Sequence, residues 1–422
     1  MKLTIYPSRL EGNVNIVSSK SLSHRYMIAA SLAIGKSKIN NVLNSKDLEA
    51  TINILKNFNV NIKNNNNDYI IDANKLSYPT NHLDAYESGS TLRFFIPIAW
   101  LFDKTITFTG SPTLGQRPLN VYEDIALNNN YLFKKTNNNF PIEVKGPLKP
   151  GKYIVDGSIS SQFITGLLFA LPLLNGDSQI VIKNKLASKN YIDLTLQTLK
   201  DANINIKYHN NIFDIKGNQS YKPLTINIEG DYSQAAFFIV ASILHNTKIT
   251  ITNLNEKSLQ GDKEILNIIK QMNVKYSFKN TTLTIYPHNN NLTTTDIDLF
   301  NIPDLGPILI VLAAYLNGTT KFYNVSRLIT KESNRLEAMI TNLKQQNIKF
   351  ELKNDTLLVH GTNNFIGNQT FNTYNDHRIA MALAIYGSKC LNPITLNDYT
   401  VVNKSYPNFF EHFKLIGGKT NE

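Results

Sequence analysis

Basic residues at the starts of predicted helices are the first chemical signal in this sequence. Seven cations lie at such starts: Lys20, Arg25, Arg117, Lys331, Arg335, Arg378 and Lys404. Free backbone N–H groups and the positive end of the macrodipole already favour anions there, so a cation opposes the dipole unless a negative ligand compensates it. Arg can bind carboxylate or phosphate through two hydrogen bonds, and Lys supplies a movable point charge. The pattern predicts a site for a ligand with several acidic groups.

Two carboxylates, Asp304 and Glu332, lie among these cations. Either could serve as a general base or acid, although Asp304 also fits a helix N-cap and Glu332 a first helical turn. The sequence contains no GxxxxGKS/T loop, no GxGxxG, no HExxH and no CxxC motif, and its eight His show no metal-ligand spacing. We therefore expect neither a metal nor a cofactor.

The elements that carry these residues repeat along the chain. Amphipathic helices are predicted to start in steps of 71 or 72 residues, at Ser45, Gln116, Ser188, Gln260, Lys331 and Asn403. Each repeat also contains a helix that is apolar nearly all round, such as 88–102 or 304–316, which marks it as buried. One repeat is too small to bury a core alone, so we expect two domains of three repeats each. Six repeats in an open array are the alternative.

Composition limits the class of protein. The chain has 422 residues, 42% of them hydrophobic, and a single Cys, Cys390, so it can build packed cores and cannot form an internal disulfide. Its 43 Lys and Arg against 32 Asp and Glu give a net charge of +11, which suits an anionic partner. The apolar stretches are shorter than the ~20 residues that span a bilayer, and no export signal is visible. We expect a cytoplasmic protein without a membrane partner.

A nucleic-acid-binding array is the alternative reading of the positive charge. Such an array spreads Lys, Arg and aromatic residues along one face. Here the cations are concentrated at predicted helix starts beside Gly and Ser. This concentration favours small acidic metabolites, and no nucleic-acid partner is expected.

Motifs along the whole chain, in the right order, resemble the EPSP synthases, which are enolpyruvyl transferases. They include SKSLSHRYMIAASLA (19–33), ESGSTLRF (87–94), GSISSQFITGLL (157–168), KESNRLEAM (331–339) and YNDHRIAMALA (374–384). The resemblance implies an α/β (α+β) fold of two similar domains, each of three βαβαββ repeat units around buried parallel helices, with the active site in the interdomain cleft. One domain would comprise residues 1–15 plus 230–422, and the other residues 16–229.

The resemblance also implies the reaction, which is transfer of the enolpyruvyl group of phosphoenolpyruvate to the 5-hydroxyl of shikimate 3-phosphate with release of phosphate. The shikimate 3-phosphate set it implies is Lys20, Ser21, Arg25, Ser160, Ser161, Gln162, Ser188, Asp304, Arg327 and Lys331, flanked by Tyr191. The phosphoenolpyruvate set is Lys20, Gly89, Arg117, Gln162, Arg335, Arg378 and Lys404. Asp304 would accept the hydroxyl proton, and Glu332, assisted by Lys20, would handle the proton at C3. The family requires no cofactor or metal, and a monomer is expected.

The sister transferase that acts on UDP-N-acetylglucosamine is the closest alternative, because it shares the repeats. It usually carries a reactive Cys in the loop that corresponds to residues 110–118, and Lys-Asn where this chain has Lys20 and Ser21. Neither feature is present here. Glu87 stands where other EPSP synthases commonly have Asn, a departure that bears on inhibitor response rather than on activity.

Overall fold

A computed structural model describes residues 1–79, 82–136, 140–289, 292–362 and 364–422. The chain divides into two compact units. We call Ser18–Ile228 the inserted unit, and Met1–Val17 together with Glu229–Glu422 the terminal unit.

The chain begins with two strands of the terminal unit, β1 (Leu3–Tyr6) and β2 (Gly12–Asn15). The helices of the inserted unit are α1 (Lys20–Leu32), α2 (Lys46–Asn57), α3 (Gly89–Ala99), α4 (Pro112–Gly115), α5 (Asn120–Asn129), α6 (Ser161–Ala170) and α7 (Lys189–Asp201). Its strands are β3 (Gly35–Asn40), β4 (Asn61–Asn65), β5 (Asp68–Ala73), β6 (Leu83–Asp84), β7 (Ile106–Thr109), β8 (Leu132–Lys135), β9 (Ile142–Lys145), β10 (Lys152–Asp156), β11 (Ser178–Lys183), β12 (Ile206–His209), β13 (Ile212–Ile215) and β14 (Thr225–Asn227).

The rest of the terminal unit follows. Its helices are α8 (Tyr232–His245), α9 (Ile265–Gln271), α10 (Gly306–Tyr315), α11 (Arg335–Lys344), α12 (His377–Ser388) and α13 (Phe409–Leu415). Its further strands are β15 (Ile249–Thr252), β16 (Tyr276–Lys279), β17 (Thr282–Ile285), β18 (Ile297–Asp298), β19 (Gly318–Tyr323), β20 (Lys349–Lys353), β21 (Thr356–Gly361), β22 (Thr370–Phe371), β23 (Ile394–Leu396) and β24 (Lys419–Asn421). Short 3₁₀ turns precede several helices, at Gly261–Glu264, Pro303–Leu305, Val325–Leu328 and Thr400–Lys404.

The described residues form six four-stranded sheets with one common plan. In the sheet β6-β7-β9-β8, the first two strands are parallel and the other neighbours antiparallel. Since α3 lies between β6 and β7 and α5 between β7 and β8, the repeat reads βαβαββ, as predicted. In three repeats a distant segment completes the sheet: β14 pairs with β3, β2 with β15, and β1 with β23. The predicted fold class, α/β with two similar domains of such repeats, is confirmed.

The core of each unit is built around the apolar helices. In the inserted unit α3 packs on α6, and Phe94, Phe95 and Trp100 are fully buried. In the terminal unit α8, α10 and α12 pack on one another. Burial of such side chains stabilises each by roughly 1.5–3 kcal/mol. Among the residues that the structure describes, no helix combines the length and apolar character needed to cross a bilayer.

Many of the chain's Asn residues lie in turns. Asn66, Asn210, Asn280 and Asn354 each take the first position of a two-residue hairpin loop, with φ between 47° and 57°. This left-handed conformation is the one that such hairpins require, and Asn tolerates it better than most residues. These Asn residues therefore fit the backbone conformation of the hairpin loops in which they lie.

Three predicted helix starts are wrong. Gln116 ends the short helix α4, and α5 begins only at Asn120, because Pro118 disfavours helical geometry in Arg117 and so separates the two helices. Lys331 lies before α11, which begins only where Asn334 accepts a hydrogen bond from the Glu337 N–H. Residue 403 lies in a 3₁₀ turn, and α13 begins after Pro407.

Candidate active site

Serine hydroxyls cap the starts of α1, α3 and α6 in the inserted unit, and Ser111 caps the short helix α4 in the same way. Ser19, Ser88 and Ser160 precede α1, α3 and α6, and each hydroxyl accepts a hydrogen bond from a backbone N–H of the first turn. One cap satisfies one of the four N–H groups that a helix start leaves without an intrahelical partner. These starts therefore favour anions, and Ser161 is the first residue of α6.

Lys20 is the first residue of α1, and its Nζ forms an ion pair with Asp47 Oδ2 at 2.8 Å. Only 14% of the Lys20 side chain and 9% of the Asp47 side chain are exposed. Asp47 lies in the first turn of α2. Sequence analysis missed it, because an acidic residue in the first turn is an ordinary feature of a helix.

Arg25 is buried and held by neutral groups. Its Nε donates to Thr195 Oγ1 at 2.9 Å, its Nη1 to the Ser21 carbonyl at 2.8 Å, and its Nη2 to the Tyr191 carbonyl at 3.0 Å. The guanidinium also lies over the rings of Phe94 and Tyr191. Burial lowers the pKa of Arg25 to about 10. The site therefore holds a cation whose charge these partners do not cancel.

Gln162 connects the starts of α3 and α6. Its Oε1 accepts a hydrogen bond from Arg93 Nη1 at 2.7 Å, and its Nε2 donates to Ser90 Oγ at 2.8 Å. Arg93 Nη2 donates to the carbonyl of Pro118 at 2.8 Å. The loop that carries Arg117 is thereby tied to both helices.

Gly89 and Arg117 are in close contact. A Cβ atom built on Gly89 would lie 2.5 to 3.0 Å from the atoms of the Arg117 guanidinium. A residue without a side chain at the start of α3 therefore lets the guanidinium lie against the helix backbone. The structure brings these two predicted residues together.

Ser188 precedes α7 and is buried, with a left-handed φ of 53°. Its helix also carries Tyr191 and Thr195, which hold Arg25. Thr195 Oγ1 lies 2.9 Å from Thr165 Oγ1, so α6 and α7 meet through two hydroxyls. The predicted residues of the inserted unit thus lie at or near the starts of α1, α3, α6 and α7, where Arg25 connects α1 to α7 and Gln162 connects α6 to α3.

Arg335 is the centre of the terminal unit's polar cluster. It is fully buried, and its guanidinium forms ion pairs with Asp304 at 2.8 Å, Glu332 at 2.6 Å and Asp376 at 2.8 Å. Burial by itself lowers the pKa of Arg335, but Asp376, Glu332 and Asp304 outweigh it and hold that pKa above its ordinary value. Asp376 caps α12. It was not among the predicted site residues, because an Asp before a predicted helix is accounted for by capping alone.

Asp304 lies in the 3₁₀ turn before α10 and meets two further cations. Lys331 Nζ lies 3.7 Å from its Oδ1, and Arg378 Nη2 lies 3.5 Å from its Oδ2. Arg378 Nη1 also donates to the Asp304 carbonyl at 3.2 Å. Burial lowers the pKa of Lys331 to about 8, even though Asp304 opposes that shift. The cluster joins carboxylates that can accept a proton to a lysine whose pKa lies below its ordinary value.

The remaining predicted residues of the terminal unit are Arg327 and Lys404. The Arg327 guanidinium lies over the Phe300 ring, and burial lowers its pKa. Lys404 is buried, and its Nζ donates to the Asn375 carbonyl at 2.6 Å, next to the start of α12. Within the described ranges, no group of three or more His, Cys, Asp or Glu side chains could hold a metal ion.

Six four-stranded repeats of βαβαββ type, with cations and hydroxyl groups in the first turns of helices such as α1, α6 and α12, are the arrangement of an enolpyruvyl transferase. The chain belongs to the EPSP synthase family, since a profile of EPSP synthase (3-phosphoshikimate 1-carboxyvinyltransferase) matches residues 5–413. A 3-phosphoshikimate 1-carboxyvinyltransferase of Clostridium kluyveri is 43% identical over 100% of this chain and 98% of its own length. One of Clostridioides difficile is 41% identical over the same shares. The predicted family is confirmed.

Solved structures share the fold. An EPSP synthase from Acinetobacter baumannii superposes with a TM-score of 0.83 at 21% identity, over 100% of both chains. The enolpyruvyl transferase NikO from Streptomyces tendae superposes with a TM-score of 0.81 at 15% identity, over 100% of this chain and 98% of its own.

Proposed function

We propose that this chain transfers the enolpyruvyl group of phosphoenolpyruvate to the 5-hydroxyl of shikimate 3-phosphate, giving 5-enolpyruvylshikimate 3-phosphate and phosphate (EC 2.5.1.19). The cluster of Arg335 with Asp304 and Glu332 carries this proposal, because it joins anion-binding groups to carboxylates that can move protons. Full-length relatives with this name support the same reaction.

Shikimate 3-phosphate is assigned the helix starts of the inserted unit and part of the terminal unit's cluster. The residues assigned to it are Lys20, Ser21, Arg25, Ser160, Ser161, Gln162, Ser188, Arg327, Lys331 and Asp304. The support in the inserted unit is chemical: hydroxyls, N–H groups and a buried guanidinium suit a phosphate and a polyol. Asp304 accepts a hydrogen bond from the substrate's 5-hydroxyl.

Phosphoenolpyruvate is assigned Lys20, Gly89, Arg117, Gln162, Arg335, Arg378 and Lys404. It carries a phosphate and a carboxylate, so more than one guanidinium can each take an acidic group. Contact between Arg117 and the start of α3 supports the assignment, since the guanidinium and the helix N–H groups can bind one anion together.

The chemistry follows as an addition and an elimination. The 5-hydroxyl oxygen bonds to C2 of phosphoenolpyruvate while Asp304 accepts its proton, and C3 gains a proton through Glu332 with the help of Lys20. The tetrahedral intermediate then breaks the bond from C2 to the phosphate oxygen, and C3 returns its proton to re-form the double bond. The cations hold both anions in line and stabilise the charge that develops on phosphate.

Phosphate release from shikimate 3-phosphate and phosphoenolpyruvate is the test. We expect turnover only when both substrates are present. UDP-N-acetylglucosamine replaces shikimate 3-phosphate as the control, and turnover with that pair alone would contradict the proposal. A monomer acting in the cytoplasm without a cofactor stays a prediction.

A further inference from the structure

Asp262 is a buried carboxyl of the terminal unit to which the proposed chemistry gives no role. It lies in the 3₁₀ turn Gly261–Glu264, and only 3% of its surface is exposed. A carboxyl in such surroundings is costly to ionise unless other groups compensate it. The groups around Asp262 therefore determine whether it is ionised or protonated.

The hydrogen bonds of Asp262 are few for a buried acid. The Ser233 hydroxyl donates to Oδ2, whereas Oδ1 has no hydrogen-bond partner in the described part of the chain. An ionised carboxylate can accept about four hydrogen bonds. A single donor stabilises the ionised carboxylate only weakly, so the protonated form of Asp262 costs little free energy relative to the ionised form.

The turn that carries Asp262 is connected to the Arg335 cluster through α8. Its turn packs against α8, and α8 packs against α10, α12 and the turn that carries Asp304. The charged groups that act on Asp262 are Asp231 at the start of α8, Asp304 before α10 and Arg378 at the start of α12. Burial, then Asp304, raises the pKa of Asp262 to about 7, although Arg378 and the Ser233 hydrogen bond oppose the shift.

We propose that Asp262 is a positioning residue that takes up a proton when phosphoenolpyruvate binds Arg378. The proton removes one negative charge from the terminal unit as the negative charge of the ligand arrives. In the empty site the positive charge of Arg378 stabilises ionised Asp262. A bound anion cancels that charge and adds negative charge nearby, so Asp262 binds a proton from solvent. Because Arg378 is assigned to phosphoenolpyruvate by the function proposed above, the role of Asp262 rests on that proposed function.

The pH profile of kcat/KM for phosphoenolpyruvate, measured at saturating shikimate 3-phosphate, tests the role. Uptake of one proton lowers kcat/KM by up to tenfold per pH unit above about pH 7 in the unchanged chain. Asp262→Asn keeps the shape and removes the titration, so its profile should be flatter between pH 7 and 8.5. Asp177→Asn, which removes an exposed carboxylate of the inserted unit, should keep the original profile.

A second variant makes the opposite change. Ser233→Ala removes the hydrogen bond that favours ionised Asp262, so the fall in kcat/KM should move to higher pH. Profiles of Asp262→Asn and Ser233→Ala that both match the unchanged chain would overturn the role of Asp262. No turnover by the unchanged chain at any pH would instead overturn the proposed function.

Unfolding of the ligand-free chain gives a readout that needs no substrate. The folded state binds more protons than the unfolded state between the ordinary pKa of Asp and about 7, so the contribution of Asp262 to stability falls as pH rises through that window. Asp262→Asn should lessen this fall relative to the unchanged chain. An identical pH dependence of unfolding in Asp262→Asn and in the unchanged chain would contradict a titrating Asp262.

Discussion

Arg25 of the inserted unit and Arg335 of the terminal unit are both buried guanidinium groups, but their partners differ in charge. A hydroxyl, two carbonyls and two aromatic rings hold Arg25. Three carboxylates hold Arg335. The pKa of Arg25 accordingly lies below its ordinary value because of burial, and the carboxylates keep that of Arg335 above it.

The difference between their partners indicates that the two arginines have different roles. A buried cation among neutral groups gains much from an arriving anion, because nothing else cancels its charge. A cation among carboxylates is already neutralised, and its value lies in fixing the position of those carboxylates. We therefore expect removal of the Arg25 charge to weaken mainly substrate binding, and removal of the Arg335 charge to impair proton transfer and stability as well as phosphoenolpyruvate binding.

The largest expected effect is that of Asp304→Asn in the terminal unit. The amide oxygen can still accept a hydrogen bond from Arg335, but it cannot take the hydroxyl proton. Loss of a general base lowers kcat by roughly 10²–10⁴-fold. Binding of shikimate 3-phosphate should not weaken, because one negative charge has left a cluster of cations. Phosphate release and calorimetry measure the two quantities.

Equal losses of kcat and of shikimate 3-phosphate affinity in Asp304→Asn would contradict this division. Asp304 would then be a ligand contact only, and another group would accept the hydroxyl proton. Asp298→Asn, which changes an exposed carboxylate that bonds Asn324 in the same unit, is the matched control and should alter neither quantity.

Stability gives the second contrast. Arg335→Met leaves Asp304, Glu332 and Asp376 without their shared cation, and breaking a buried ion pair on one side costs about 3–5 kcal/mol of unfolding free energy. Arg25→Met leaves only neutral groups behind, so we expect a smaller loss. Denaturant unfolding of both variants checks this order. Equal losses would show that the charge of the partners does not decide the effect.

Substitution at Gly89 tests phosphoenolpyruvate binding by the inserted unit, with a smaller expected effect. The Cβ of Gly89→Ala would meet the Arg117 guanidinium at 2.5 Å, so the guanidinium must move away from the start of α3. Loss of a charged hydrogen bond costs about 1.5–3 kcal/mol, so KM for phosphoenolpyruvate should rise roughly 10–100-fold while KM for shikimate 3-phosphate changes little. Initial rates with each substrate varied in turn measure both constants.

A double variant shows whether the two residues act through one contact. If Gly89→Ala acts by displacing Arg117, adding Arg117→Lys should cost less than it costs alone. Full additivity of the two changes would mean that Gly89→Ala acts elsewhere.

The sequence predicted the repeats and buried helices well, because six long apolar helices at a regular spacing are a strong signal. Helix starts at Gln116 and Lys331 were wrong, since the local effects of Pro118 and Asn334 outweigh the period. The carboxylates Asp47 and Asp376 were missed for a different reason. Each looks like an ordinary helix-start residue, and only the folded chain shows that Asp47 meets Lys20 and Asp376 meets Arg335.

The smallest expected effect is the pH dependence of shikimate 3-phosphate binding through Lys331. Burial lowers the pKa of this lysine to about 8, so it is charged below pH 8 and becomes neutral above it in the empty site. The bound phosphate favours the charged form, so binding above pH 8 must take up a proton. Affinity should then fall by up to tenfold per pH unit between pH 8 and 9.5. Calorimetric titration across this range measures it.

Lys331→Arg separates the charge of this residue from its titration. Arg stays protonated throughout the range, so the variant should keep its affinity for shikimate 3-phosphate up to pH 9.5. Lys216→Arg, at an exposed lysine paired with Asp177, is the control and should follow the unchanged chain. If Lys331→Arg still loses affinity with the same slope, the proton is taken up elsewhere. Lys331 would then not be the group whose protonation controls binding of shikimate 3-phosphate. The terminal and inserted units would differ only in proton transfer and stability.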